Sequence, residues 1–248
     1  MPRRGRKPIP AISLFSGSGG MDLGFAREGF DIRVAVEVDP AACDTLRRNW
    51  PSYRHRLIER PLEDISTDEL LTVAGLGVAE AGIVFGGPPC QPWCVAGNRL
   101  GFDDPRGLAL LEFCRVVREA QPATFCIENV PGLLNLSDTS MPELIAEEIN
   151  RGLAIKYQFA SDVLNAAEYG VPQQRRRVFI VGWRTPGEFY FPAPTHQIAS
   201  APKRPWKKPA RTVGDAFKGL PTPTPPSPIA HRVATTIPRR NERWYGKR

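Results

Sequence analysis

Short apolar runs alternate with amphipathic segments along residues 11–184 of the chain. The apolar runs predict buried strands at about residues 11–15, 32–36, 81–85, 124–127, 154–163 and 177–183, with a shorter strand between 50 and 61. The segments with helical periodicity predict helices at about residues 21–28, 40–49, 67–73, 108–120 and 141–151. Strands that alternate with helices predict an α/β fold with a doubly wound, mostly parallel sheet.

Two of the predicted helices have recognisable start signals. Asp39 and Pro40 combine a good N-cap residue with a proline in the first helical turn. Ser66 and Glu69 have the spacing of a capping box. We therefore expect helices to begin at these positions. Asp39 then has a structural role as a cap, which leaves its neighbour Glu37 available for another role.

The chain changes character at residue 186, because 12 of its 26 prolines lie beyond that point. We divide it into a basic N-terminal arm (1–10), a main domain (11–185) and a proline-rich extension (186–248), with a short helix predicted at 213–217. Residues 201–248 hold 12 Lys and Arg against two Asp and Glu. A basic extension of this kind suits a polyanion such as nucleic acid. A solvated, disordered tail remains the alternative.

The cysteines predict a reducing environment. There are five of them, an odd number without the spacing of a disulfide framework. No apolar run is long enough for a membrane span, and no apolar region follows the basic N-terminus as in a secretory signal. We therefore expect a location in the cytoplasm or the bacterial nucleoid. Cys90 and Cys94 lack a nearby third or fourth ligand, so we predict no metal site.

Chemically active residues follow the predicted strands, at the edge where doubly wound sheets bind ligands. Ser16–Gly20 follow the first strand, Glu37 the second, Asp64 the third, Cys90 the fourth and Glu128 the fifth. A small-residue turn that opens a helix is a nucleotide-type cradle, and a carboxylate after the second strand can accept hydrogen bonds from ribose. Taken alone, Asp64 could be a solvated turn residue, and Cys90 could be a buried structural cysteine.

Five motifs in this order resemble those of the DNA (cytosine-5) methyltransferase family. They are Phe15-x-Gly17-x-Gly19-Gly20, Glu37, Gly87-Pro88-Pro89-Cys90-Gln91, Glu128-Asn129-Val130 and Gln173-x-Arg175-x-Arg177. The resemblance covers about residues 11–184. It implies a Rossmann-like fold of the S-adenosylmethionine-dependent type, S-adenosyl-L-methionine as the cofactor and double-stranded DNA as the substrate. It also implies a role in DNA methylation, with a cognate restriction endonuclease system as a further partner.

The resemblance implies roles for individual residues. The implied cofactor-binding residues are Phe15, Gly17, Gly19, Gly20, Glu37, Val38, Asp64, Ile65 and Pro88. The implied catalytic residues are Cys90, Glu128, Arg175 and Arg177. The implied substrate-binding residues are Gln91, Asn129 and Gln173. Within these sets, Glu37 would hold the ribose hydroxyls and Asp64 the adenine amino group. Residues 91–101 resemble the loop that closes over the flipped base.

The chemistry gives physical reasons for the catalytic set. Cytosine C5 is too weak a nucleophile to attack a sulfonium methyl group, but addition of a thiolate at C6 makes it enamine-like. That thiolate is favoured by nearby positive charge such as Arg177. Charge pushed onto N3 and O2 needs a proton donor and a cation, and Glu128 resembles the acid at N3. Because C6 is inaccessible in a duplex, the base must be flipped out.

The chain departs from the family's pattern after the Gln-x-Arg-x-Arg motif. We find no target-recognition region and no late Gly-Asn-x-x-Pro-Pro motif. The chain resembles either the larger subunit of a two-subunit enzyme, whose small second subunit supplies recognition, or a truncated product. We therefore expect it to transfer little or no methyl to DNA by itself. A non-catalytic DNA- or cofactor-binding remnant and a tRNA cytosine-5 methyltransferase remain alternatives.

Overall fold

One mixed sheet of seven strands organises the protein. The computed structural model describes residues 7–50, 56–89, 108–135, 140–198 and 207–219. The strands are β1 (Ile9–Leu14), β2 (Phe30–Val36), β3 (Leu57–Ile58), β4 (Ile83–Gly86), β5 (Thr124–Asn129), β6 (Gln158–Asn165) and β7 (Arg176–Trp183). Their spatial order is β3-β2-β1-β4-β5-β7-β6. Strands β1 to β5 pair in parallel, whereas β7 is antiparallel to both β5 and β6. The predicted doubly wound, mostly parallel sheet is confirmed.

Six α-helices lie within the described ranges. They are α1 (Gly20–Arg27), α2 (Pro40–Asn49), α3 (Thr67–Ala74), α4 (Leu108–Ala120), α5 (Met141–Asn150) and α6 (Val213–Phe217). The two predicted start signals are confirmed: Asp39 Oδ1 accepts a 2.7 Å hydrogen bond from Ala42 N, and Ser66 Oγ accepts one of 3.1 Å from Glu69 N. Among the described residues, none of the helices is long and apolar enough to cross a membrane.

The hydrophobic core lies on both faces of the sheet. In β1, Ile12 and Leu14 belong to one buried cluster and Ala11 belongs to the other. Successive side chains of a strand point to opposite faces, so this division shows that β1 is covered on both sides. Phe113 and Val117 of α4 complete the first cluster. This burial explains why β1 is mostly apolar rather than alternating; its one polar residue, Ser13, is buried and hydrogen-bonded to Ser16.

Most strands differ from their predicted bounds. The third strand is only two residues long, and Asp64 lies beyond it in a 3₁₀ turn over Leu62–Asp64 that follows Pro61. Asp64 therefore follows the third strand, as predicted, but it is separated from the strand end by several residues rather than adjoining it. β5 extends through Asn129, so Glu128 is part of the strand rather than the residue after it. β6 begins at residue 158, four residues later than predicted.

The first part of the extension contacts the main domain. The backbone amides of Thr195 and His196 donate to Glu168 O at 3.0 and 2.8 Å, and Tyr169 Oη donates to Pro192 O at 2.8 Å. The helix predicted at 213–217 is confirmed as α6. At the other end, β1 already begins at Ile9, so the predicted N-terminal arm overlaps the sheet by two residues. The predicted boundary at residue 186 stays a prediction.

Candidate active site

The turn after β1 has a backbone that requires glycine at two positions. Phe15, Gly17 and Gly19 have φ angles of 54°, 54° and 81°. At Gly19 a Cβ would lie 2.3 Å from the ring of Trp50, so no larger residue fits. Gly17 has open space around it, and its requirement is the left-handed backbone. Positive φ is unusual for an aromatic residue, and such strain is concentrated at binding sites.

The carboxylate of Glu37 is held in place by three backbone amides. Its Oε2 accepts from Gly17 N at 2.6 Å, and its Oε1 accepts from Val38 N and Asp39 N at 2.8 Å each. These bonds join the end of β2 to the glycine turn. A carboxylate has about four acceptor positions, so one remains for a further donor such as a ribose hydroxyl. The sequence-based choice of Glu37 over Asp39 as the candidate ligand agrees with this geometry.

A cavity of about 340 Å³ opens beside this carboxylate, within the size range of small-molecule sites. Its lining residues are Phe15, Val36, Glu37, Val38, Arg60, Pro61, Leu62, Glu63, Pro89 and Ala109. Three residues that the motifs predicted for the cofactor are thus brought together: Phe15, Glu37 and Val38. The cavity combines an aromatic ring and aliphatic walls with a fixed carboxylate, which suits a nucleoside.

Several lining residues were missed by the sequence reasoning. The segment from Arg60 to Glu63 enters the wall because the chain turns at Pro61 directly after β3. The proline after a short apolar pair was a usable signal for that turn. Ala109 approaches the cavity from α4, and its position depends on how that helix packs, so its sequence carried no signal.

Three predicted cofactor residues lie elsewhere. Ile65 is only 1% exposed and belongs to the hydrophobic core, because the 3₁₀ turn directs it inward. Asp64 is exposed at the end of that turn and does not line the cavity. Pro88 is buried, and its neighbour Pro89 lines the cavity instead. Of the glycines, Gly17 and Gly19 shape the turn, and Gly20 begins α1 without lining the cavity.

A second cavity, of about 200 Å³, lies next to the first, since Phe15 lines both. Its lining residues are Ser13, Leu14, Phe15, Ser16, Met21, Asp22, Phe85, Gly86, Gly87, Glu128 and Arg175. Asp22 was missed by the sequence reasoning. It is 1% exposed and lies in the first turn of α1, where the helix dipole favours a negative charge.

The end of β4 lies close to both of its neighbouring strands. A Cβ on Gly86 would lie 2.1 Å from Leu14 O, and one on Gly87 would lie 3.2 Å from Glu128 Oε2. The two glycines therefore allow the chain that leads to Cys90 to pass between β1 and Glu128. Cys90 and Gln91 themselves lie outside the described residues, and their roles stay predictions.

Asn129 supports this loop. It is 5% exposed; its Nδ2 donates to Pro88 O at 3.0 Å and its Oδ1 accepts from Val130 N at 2.8 Å. Both ends of the amide are therefore occupied by backbone groups. Asn129 thus helps to hold the backbone at Pro88, two residues before Cys90 in the sequence, and the prediction that Asn129 contacts substrate stays a prediction.

Glu128 forms ion pairs with the two predicted arginines. Its Oε1 lies 2.9 Å from Arg177 Nε and 3.5 Å from Arg175 Nη2. Arg177 belongs to β7, as predicted, so its backbone is fixed by the sheet. A carboxyl group between two guanidinium groups can present donors and acceptors to the edge of a heterocycle. Gln173 lies in the exposed turn before β7, where its backbone N donates to Val171 O. The predicted support of the site by its side chain stays a prediction.

Comparisons with known proteins agree with this geometry. A family model described as C-5 cytosine-specific DNA methylase matches residues 9–236. The chain belongs to this family. It is 48% identical over 236 residues to the Type II methyltransferase M.AquIA of Picosynechococcus sp.. That match covers 91% of this chain and 94% of M.AquIA. The resemblance inferred from the motifs is confirmed, and the methylase is a DNA cytosine-5 methyltransferase.

Other relatives of the methylase are longer than the chain. The Type II methyltransferase M1.HphI of Haemophilus parahaemolyticus is 39% identical over 85% of this chain, but over only 52% of its own length. A solved E. coli structure, described as a prophage-encoded DNA modification methyltransferase, has a TM-score of 0.64 at 28% identity. That match covers 86% of this chain and 55% of the other. The chain thus spans about half the length of these two relatives.

Three cysteines of the methylase are buried free thiols. Burial, with smaller contributions from Glu59 and Glu37, raises the pKa of Cys43 to about 11. Burial and then Glu128 raise the pKa of Cys126 to about 12, and burial also raises that of Cys114. Thiols that stay protonated at neutral pH are poor nucleophiles. These three cysteines are therefore structural.

Proposed function

We propose that the chain transfers a methyl group from S-adenosylmethionine to C5 of a flipped-out cytosine in double-stranded DNA, through a covalent bond between Cys90 and C6. One observation carries the proposal. Phe15 lines two adjacent cavities, one bordered by the fixed carboxylate of Glu37 and the other by Glu128 and Arg175. A cofactor site and a base site that share a wall suit direct transfer between two bound molecules.

The first cavity fits the nucleoside part of the cofactor. Glu37 would accept the ribose hydroxyls, while Phe15 and Leu62 would contact the purine. The cofactor supplies a methyl group on a sulfonium centre, which leaves as a neutral thioether. The residues of the chain orient it and exclude water from it.

The residues of the second cavity, together with Cys90, would act on the base. The Cys90 thiolate adds to C6, and the electron pair of the C5–C6 bond becomes available at C5 for the methyl group. In its protonated form Glu128 donates a hydrogen bond to N3, and the guanidinium of Arg177 stabilises the charge at O2. A water molecule then takes the C5 proton, and the electron pair of that C–H bond restores the C5–C6 double bond as the C6–S bond breaks and the thiolate leaves. The atoms balance without a reactant other than this water.

We further propose that a second polypeptide chain supplies sequence recognition. The chain spans only about half of M1.HphI, whereas it spans 94% of M.AquIA, a relative of similar length. Membership of a Type II restriction-modification system is supported by the names of these relatives. The basic residues beyond position 200 would add sequence-independent attraction to DNA.

Tritiated methyl transfer tests the proposal. The chain is assayed alone and with the product of the reading frame directly downstream, on DNA and on tRNA. We expect transfer to DNA with both chains, little with this chain alone, and none with Cys90→Ser. Transfer to tRNA but not DNA would contradict the substrate, and robust sequence-specific transfer by the single chain would contradict the need for a partner.

A further inference from the structure

Arg115 of α4 joins its helix to the turn that forms one wall of the 340 Å³ cavity. Its guanidinium donates to five groups: the backbone oxygens of Leu62 and Ile65, the hydroxyl of Thr67, and the carboxylates of Glu112 and Glu119. The bonds to Ile65 O and Thr67 Oγ1 are both 2.9 Å long, and the one to Leu62 O is 3.4 Å. The Arg115 side chain is only 21% exposed, so water competes little for these contacts.

Apart from the burial of Leu62 and Ile65 in the core, the turn has few other hydrogen-bond constraints. It is a three-residue 3₁₀ segment with two backbone hydrogen bonds of its own, Asp64 N to Pro61 O at 3.1 Å and Ile65 N to Leu62 O at 3.2 Å. Short 3₁₀ segments have poor hydrogen-bond geometry and do not fix their own position. The guanidinium holds the turn near both ends, through Leu62 O and Ile65 O, and also holds Thr67 at the start of α3.

Both elements that Arg115 joins contribute to the cavity. The turn region provides Pro61, Leu62 and Glu63, and α4 provides Ala109. We propose that Arg115 is a positioning residue for the cofactor: it sets the distance between these two walls, and thereby the affinity for the adenosine moiety. The inference rests on the proposed function, in that the ligand of this cavity is taken to be S-adenosylmethionine.

The neighbouring Arg118 provides a matched control. It lies on the same helix and is similarly buried, with 25% of its side chain exposed. It donates to Glu148 O at 3.0 Å and to Glu148 Oε1 at 2.6 Å, and so joins α4 to α5 rather than to the cavity wall. A purely structural role for buried arginines of α4 would make the two positions equivalent.

The test compares Arg115→Lys with Arg118→Lys. Lysine keeps the positive charge but cannot span several acceptors as the planar guanidinium does. Binding of S-adenosylhomocysteine is measured by isothermal titration calorimetry, and Tm by calorimetry, on the full chain without DNA. We expect similar decreases in Tm for both variants. The dissociation constant should rise roughly tenfold for Arg115→Lys and stay within about twofold of the original for Arg118→Lys.

Thr67→Val is a second, milder variant, because it keeps Arg115 and removes one hydroxyl, which accepts from Arg115 and donates to Glu119. We expect it to weaken binding by about threefold. Equal affinities for Arg115→Lys and the original chain would overturn the inference, as would equal weakening by Arg118→Lys. Absence of binding by the original chain would instead contradict the proposed function, so the two failures are distinguishable.

Discussion

Replacement of Glu37 by glutamine tests the cofactor site with one atom changed. The carboxylate accepts three backbone amides through its two oxygens, with Gly17 N on one side and Val38 N and Asp39 N on the other. Glutamine has only one oxygen. Whichever way its amide turns, an NH₂ group faces at least one backbone N–H, so the side chain must leave its position or lose a bond.

The expected loss follows from these contacts. A hydrogen bond to a charged acceptor contributes about 1.5–3 kcal/mol, roughly twice that of a neutral pair. Loss of the charge and of one fixed acceptor for a ribose hydroxyl should cost about 2 kcal/mol of binding free energy, which corresponds to about 30-fold weaker binding. If the NH₂ group takes the position of Oε2, Gly17 N also loses its acceptor, and the glycine turn should become less ordered.

Calorimetric titration with S-adenosylhomocysteine measures this effect without DNA or a second chain. Glu59→Gln is the control, since Glu59 follows β3, pairs with Arg47 on the surface and is outside the lining of the cavity. The control changes the net charge equally and should alter the affinity by less than about twofold, because exposed ion pairs contribute little. If Glu37→Gln bound as tightly as the original chain, the reasoning about the fixed carboxylate would be refuted.

Three further predictions follow from the site. Asn129→Ala should reduce kcat about tenfold or more, because Pro88 O, two residues before Cys90, loses its hydrogen-bond donor. The affinity for the cofactor should stay unchanged. A lower affinity with normal kcat would contradict the positioning role. Gly86→Ala should lower the free energy of unfolding in urea by several kcal/mol, roughly the cost of overpacking, whereas unchanged stability would contradict the close strand contact. At pH 8, iodoacetamide followed by mass spectrometry should leave Cys43, Cys114 and Cys126 unmodified, because burial raises the pKa of Cys43 to about 11 and of Cys126 to about 12 and also raises the pKa of Cys114. Labelling should begin only as the pH approaches these pKa values. Fast labelling at pH 8 would contradict the burial of the three thiols.

The sheet could be predicted because strong local patterns agreed with its packing. Ala11–Leu14, apolar except for Ser13, and Ile83–Phe85 need cover on both faces, and such runs occur in parallel sheets flanked by helices. The N-cap at Asp39 fixed the start of α2 by a local hydrogen bond that the sequence already contained. The third strand was harder to predict, because two residues cannot show a period.

The candidate site could be predicted only in part. Motif order identified Glu37, Glu128 and Arg177, whose side chains the structure places at the ends of strands. The surroundings of Ile65 and Asn129 could not be predicted, because a side chain's direction depends on tertiary packing: Ile65 enters the core, and Asn129 bonds to the backbone of Pro88. Their predicted roles in binding stay predictions. Ala109 and Arg115 act through the packing of α4, which no local motif records.

The covalent step is the central claim, and DNA containing 5-fluorocytosine tests it most directly. Fluorine replaces the C5 proton whose removal would expel the thiolate, and it cannot itself be lost as a cation. The bond between the enzyme and C6 should therefore persist after methyl transfer. We predict that this chain, combined with the second chain and S-adenosylmethionine, forms a denaturation-resistant complex whose cross-linked peptide contains Cys90, and that Cys90→Ser forms none. Methylation of ordinary DNA without any such complex, or a cross-link at another residue, would contradict the account.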